Sequence, residues 1–198
     1  VLDALLPGRN LWMFATGTGI APFASIIRDP ESYEKFEHLV LVLGCRQQAD
    51  LSYAQSLAQA VPDDPLVGEL ACGRLKLITA TTQERSAMTG RLTTCLTDGR
   101  LEDAAGMAID SARDRAMICG SMAMLKDMCD LLVGRGFVEG SNARPAGFVI
   151  EKACVGGSLL TTRDNRRWHL ILKAEPDGDQ GVLHQRVGLA RVSLWFSK

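Results

Sequence analysis

No CxxC pair occurs among the six cysteines (Cys45, Cys72, Cys95, Cys119, Cys129 and Cys154), and His38, His169 and His184 stand far apart. Such spacing suits neither a zinc site, nor a compact disulfide framework, nor a catalytic triad. Unpaired thiols of the cytoplasmic kind are expected. Basic excess is missing too: 22 Lys and Arg face 23 Asp and Glu, a net charge of -1. That balance gives no footing for a nucleic-acid backbone. The apolar runs are too short to cross a bilayer, so no membrane partner is expected either. Val1 to Pro7 lacks an initiator methionine and the charged-then-apolar order of a leader, and it reads as the middle of a longer protein. What remains is 198 residues, 46% of them hydrophobic, enough for one ordinary core directed at a small molecule.

Short apolar runs punctuate the chain at regular intervals. Residues 11–15 run into Thr16-Gly17-Thr18-Gly19-Ile20-Ala21-Pro22, a buried strand entering a glycine turn. Pro22 fits the first helical position, because its missing N–H costs nothing there. A short helix over 22–28 is predicted. Further strands are read over 39–43, 75–80, 116–120 and 148–150. Helices are read over 51–61, after Gly90-Arg91-Leu92, and over 122–133, where Ser121 is the expected N-cap and Gly134 and Gly136 the stop. Strands alternating with helices predict an α/β fold, a doubly wound five-stranded parallel sheet with helices on both faces. Ligands of such sheets bind at the carboxyl ends of the strands, near the reversal of strand order. No internal repeat is visible.

Four segments therefore carry the chemistry. The Gly17 and Gly19 turn allows backbone N–H groups to approach a pyrophosphate, although Pro22 stands where the dehydrogenase fingerprint has its third glycine. At the end of the second strand the residue is Arg46, flanked by Gln47, rather than the acid that accepts the ribose hydroxyls of NAD. A guanidinium suits a 2′-phosphate through paired, charge-assisted hydrogen bonds; the other reading is a solvated surface arginine. Arg91 is a second candidate, with a helix-surface charge as its alternative. Cys119-Gly120-Ser121 ends the fourth strand, where a small residue could face a nicotinamide ring or simply be a buried cysteine. Met122, Met124 and Met128 are read as core. Tyr53 is read as packing its helix rather than touching adenine.

Phe14 to Phe23, Leu43 to Gln47, Met117 to Ser121 and Phe148 to Ala153 together resemble successive motifs of the bacterial ferredoxin (flavodoxin):NADP+ reductases. The likeness covers roughly residues 1–155. It implies a two-domain flavoenzyme whose N-terminal β-barrel holds FAD and whose second domain holds NADP(H), with ferredoxin or flavodoxin as electron partner. Hydride passes between nicotinamide C4 and flavin N5. Carried over by position, Thr16, Gly17, Thr18, Gly19, Ile20, Ala21 and Pro22 hold the pyrophosphate, with Thr18 near the nicotinamide end. The 2′-phosphate falls to Arg46, Thr82 and Arg91, with Gln47 a further cofactor-binding residue. Cys119 and Gly120 line the nicotinamide site, with Ser121 a further cofactor-binding residue, and Glu151, Ala153 and Val155 close beside the flavin. Cys119 and Glu151 are the catalytic candidates.

Two departures from the family pattern stand out: Gln83 where relatives often carry arginine, and Cys154 where they place an aromatic residue against FAD. The flavin-binding barrel is absent from these residues. The expected organisation is the end of a linker over 1–10, an NADP-binding domain over 11–155 and an atypical extension over 156–198. That extension is read as out-of-frame or read-through sequence, disordered or poorly packed, or else as an added β-hairpin using 168–174. Two other functions remain open on the sequence: an NADH-using reductase component of an oxygenase or a flavin reductase, and a non-catalytic nucleotide-binding interaction module.

Overall fold

The computed structural model describes residues 2–151, together with the backbone of four short strands beyond them. Two compact units divide the chain, Val1–Ala153 and Cys154–Lys198. In the second unit, Ser158–Leu160 pairs antiparallel with Ile171–Lys173, and Arg186–Val187 with Ala190–Arg191.

The first unit is built on strands β1 (Asn10–Thr16), β2 (His38–Cys45), β3 (Leu75–Thr81), β4 (Arg115–Cys119) and β5 (Phe148–Ile150). They form one sheet in the order β3-β2-β1-β4-β5, and every pair is parallel. Parallel neighbours need crossover connections, which here run through helices α1 (Ala21–Ile26), α2 (Pro30–Lys35), α3 (Ser52–Ala60) and α4 (Gly68–Ala71) between β1 and β3. Beyond β3 come α5 (Leu92–Thr97), α6 (Arg100–Ala105) and α7 (Met122–Gly134).

Alternation within each strand decides which helices cover which face. Leu11, Met13 and Ala15 of β1 join Leu39, Leu41 and Leu43 of β2 in a core with Phe23, Ile27 and Phe36. Trp12, Phe14, Val40 and Val42 point the other way, to Leu92, Leu96, Leu101, Met128 and Leu132. A period of two thus buries the central strands on both faces, and right-handed crossovers put the early helices on one side and the late ones on the other. The doubly wound α/β sheet expected from the sequence is present, and no β-barrel occurs among the described residues.

Residues 2–10, expected as the end of a linker, pack onto this unit. Leu2, Ala4 and Leu5 are buried, and Leu5 bridges Ala146. Arg115 secures the stretch by donating to the carbonyls of Leu6 and Pro7 at 3.1 and 2.6 Å. Three helices escaped the sequence reading, α2, α4 and α6, each only six residues or fewer. Windows that short hold barely two turns and show no period.

Candidate functional site

Strand order reverses between β1 and β4: the chain leaves β1 toward β2 on one side and returns from β3 to β4 on the other. The glycine turn expected at the end of β1 lies at this crevice. Gly17–Ile20 forms a single 3-10 turn leading directly into α1, so the helix begins at Ala21, one residue before the sequence predicts. Gly17 takes a left-handed φ of 54°, and the space its side chain would occupy is open. Gly19 is held for the opposite reason. A Cβ there would lie 2.3 Å from the Cys119 carbonyl oxygen and 2.8 Å from the Gly120 Cα. Gly120, at φ 151°, has Thr16 Oγ1 in the corresponding place at 2.1 Å. The tips of β1 and β4 therefore touch backbone to backbone, an approach that only glycine permits.

Polar contacts fix that geometry. Ser121 N–H donates to Thr16 Oγ1 at 3.0 Å, and Ser121 Oγ accepts from Met124 N–H at 3.4 Å as the N-cap of α7. Cys119 is fully buried in the same apolar cluster as Ile20 and Phe23, so its thiol is enclosed and the crevice meets its backbone instead. Of the three methionines read as core, Met124 and Met128 are buried but Met122 is half exposed. Its place is the first residue of α7, ahead of the packed turns. Glu151 follows β5, where its N–H donates to the Ile118 carbonyl at 2.8 Å. Burial raises its carboxyl above the ordinary range. Ala153 and Val155 lie outside the described residues.

One strand further along, Gly44 is the partner of Thr16 and Ala80 the partner of Gly44, so β2 and β3 end level with the glycine turn. Neighbouring strands lie about 4.8 Å apart, which puts Arg46 within two short strand spacings of the crevice. Its carbonyl accepts from Gln83 N–H at 2.9 Å, and the Cys45 carbonyl from Thr82 N–H at 3.0 Å. Beyond Thr82 the chain loops back: Gly90 N–H returns to the Thr81 carbonyl at 2.8 Å. The next residue, Arg91, is the N-cap of α5, and Leu92 packs against Gly44. Arg46, Gln47, Thr82 and Arg91 are thereby gathered at adjoining tips, all exposed.

Cys45 ties the two halves of the site together and was missed in the sequence. Its thiol donates to the Asp50 carbonyl at 3.7 Å; burial pushes its pKa up, with the Gly17 backbone opposing and Asp50 adding. A cysteine between a strand and a turn carries no sequence signal of that role. Tyr53, read as packed, is 56% exposed, because α3 turns Ala54 and Leu57 to the core instead. None of the described cysteines forms a disulfide, and no group of three metal-binding side chains occurs among the described residues. No helix there is long and apolar enough to cross a membrane.

An open parallel sheet in this order, with a glycine turn at its reversal and guanidinium groups at the neighbouring tips, defines a dinucleotide-binding α/β domain. The chain belongs to the oxidoreductase NAD-binding domain family, whose model matches residues 13–130. It is 48% identical over 160 residues to a flavodoxin/ferredoxin–NADP reductase of Rhodobacter capsulatus, a span of 80% of this chain and 59% of the relative. Against ferredoxin–NADP reductase A of Sorangium cellulosum the figures are 45% over 153 residues, 77% of this chain and 55% of the relative. The chain thus spans less than two thirds of these relatives. A solved ferredoxin NADP+ reductase from Neisseria gonorrhoeae, with bound FAD and NADP, matches with a TM-score of 0.66 at 25% identity, over 76% of this chain and 58% of that one. The motif resemblance stated from the sequence and these relatives point to one family.

Proposed function

We propose that this chain is the NADP(H)-binding part of a flavin-dependent ferredoxin or flavodoxin:NADP+ reductase of the cytoplasm. In this reading residues 11–155 bind the dinucleotide, residues 1–10 lead in from a flavin domain, and 156–198 are an extension outside the site. FAD is held mainly by that other domain. The observation that carries the reading is the level alignment of the Gly17–Gly19 turn with the exposed guanidiniums of Arg46 and Arg91.

The residues fit the dinucleotide. Open space beside Gly17 leaves the turn accessible to a pyrophosphate, while the contact of Gly19 with Cys119 and Gly120 keeps side chains out of the crevice. Among the described residues, neither Arg46 nor Arg91 is engaged by a side-chain hydrogen bond or ion pair, so both can turn to a 2′-phosphate. Thr82 adds a hydroxyl at the same tip, now 3.4 Å from the Cys45 carbonyl. Bound NADP(H) supplies the hydride chemistry and bound FAD the exchange of single electrons. The chain's part is to orient the nicotinamide over Gly120 and Ser121, with Glu151, whose carboxyl burial pushes above its ordinary value, at the flavin side.

Titration of the full chain with 2′-AMP and 5′-AMP tests the reading. A clear preference for 2′-AMP is expected, and Arg46→Glu should abolish it while leaving the thermal melt unchanged. Equal affinity for both nucleotides in the unaltered chain would point to the NADH-using reductase components instead.

A further inference from the structure

The arginines of the described region fall into three groups. Arg9, Arg28, Arg100, Arg113 and Arg135 are each paired with a carboxylate. Arg74 and Arg115 are surrounded by backbone carbonyls. Arg46, Arg85, Arg91 and Arg144 have no such partner among the described residues. Three of these four unengaged guanidiniums belong to the loops that follow β2 and β3. Arg85, in the second of those loops, is assigned no role by the reading above.

The backbone around Arg85 is fixed against the Arg46 turn. Its carbonyl accepts from Gln48 Nε2 at 2.8 Å, and Gln48 N–H donates to Glu84 Oε2 at 2.7 Å. On the other side, Ser86 Oγ lies 2.7 Å from Thr81 Oγ1, and Ser86 N–H donates to Thr89 Oγ1 at 3.1 Å. The carboxylates of the two loops are occupied elsewhere: Glu84 accepts from the Gln48 amide and Asp50 from the Gln47 amide at 3.3 Å. Both acids thus hold backbone amides of the loops, and neither forms an ion pair with Arg46, Arg85 or Arg91, three exposed cations. Like charges gathered in this way repel one another, and a multiply charged anion removes the repulsion. A phosphate monoester carries about −1.5 to −2 near pH 7 and can accept from several guanidiniums at once.

We propose that Arg85 is a specificity-determining residue, a third guanidinium for the 2′-phosphate beside Arg46 and Arg91. This rests on the nucleotide-binding reading and adds to it a residue that selects NADP(H) over NAD(H). Neutral Gln83 contributes its backbone N–H to the Arg46 turn, and Arg85, two positions on, adds a cationic side chain to those of Arg46 and Arg91.

The test is calorimetric titration of the full chain and its Arg85→Ala variant with 2′-AMP and 5′-AMP, with Arg144→Ala as control. Arg85→Ala should weaken 2′-AMP binding roughly 10- to 100-fold, as loss of a charge-assisted hydrogen bond does, and leave 5′-AMP binding and the melt unchanged. Arg144→Ala should bind both as the unaltered chain does. If Arg85→Ala retains 2′-AMP affinity while Arg46→Glu loses it, Arg85 is not in the site and the nucleotide reading stands. Equal weakening of both nucleotides also overturns the proposal, since selectivity then lies elsewhere. If the unaltered chain shows no preference for 2′-AMP, both readings fall together.

Discussion

Glycines 17 and 19 stand two positions apart in one turn, yet different physics requires each. At Gly17 only the left-handed backbone matters, because nothing lies where a side chain would go. Gly17→Ala should cost about 1 kcal/mol, the strain of φ 54° in an L-residue. At Gly19 the obstruction is main chain, which cannot rotate away as a side chain can. Gly19→Ala should lower stability by about 1–3 kcal/mol, read from urea denaturation, and should also part the tips of β1 and β4. Equal costs at the two positions would mean that the β1–β4 contact is soft. The glycine turn itself was legible in the sequence. The reason for its second glycine was not, since Cys119 and Gly120 lie a hundred residues away along the chain.

At the scale of elements, the strands were the most legible part. Runs such as Leu39 to Leu43 are apolar on both faces, and burial on both faces is the environment of a central parallel strand. The amino-terminal ends of the strands were not legible, because they are organised by a polar network with no local pattern. Asp114, just before β4, accepts from Asn10 Nδ2 at 2.8 Å, from Trp12 Nε1 at 3.3 Å and from Asp110 N–H at 3.0 Å. Asn10 Oδ1 must then accept from His38 Nδ1, 3.1 Å away, which links the starts of β1, β2 and β4. Asp114→Ala would leave three donors without an acceptor and should destabilise the unit by roughly 2–4 kcal/mol in urea denaturation. The open cleft of about 460 Å³ at this edge, lined in part by Asn10, His38 and Asp114, admits water that limits the loss.

At the scale of the molecule, charge acts among the described residues through a few anchored carboxylates rather than through the net charge of -1. Asp64 is held below the usual carboxylate range by the Leu66 N–H and then by Arg28. Asp98 is lowered chiefly by Arg100, and Asp110 by the Ala112 N–H and then by Arg113. A carboxyl depressed on folding contributes stability that is present above its unfolded value and lost as the pH falls through its folded one. The melting temperature is therefore expected to hold above about pH 4 and to drop below it. Asp64→Asn should flatten that acid limb; an unchanged limb would assign the acid sensitivity to other groups.

By itself the sequence determined the alternation of strands and helices, the parallel sheet and the positions of the glycine turn and of Arg46. These are local matters, set by apolar period and by backbone chemistry within a few residues. Only the tertiary structure decided that Gly19 meets Gly120, that the Cys45 thiol meets the Asp50 carbonyl, and that Arg85 forms no ion pair among the described residues. The physical reason is the same in each case. Strand order and register bring together groups that are apart in the chain, and whether a guanidinium is paired depends on which carboxylates the fold has already engaged.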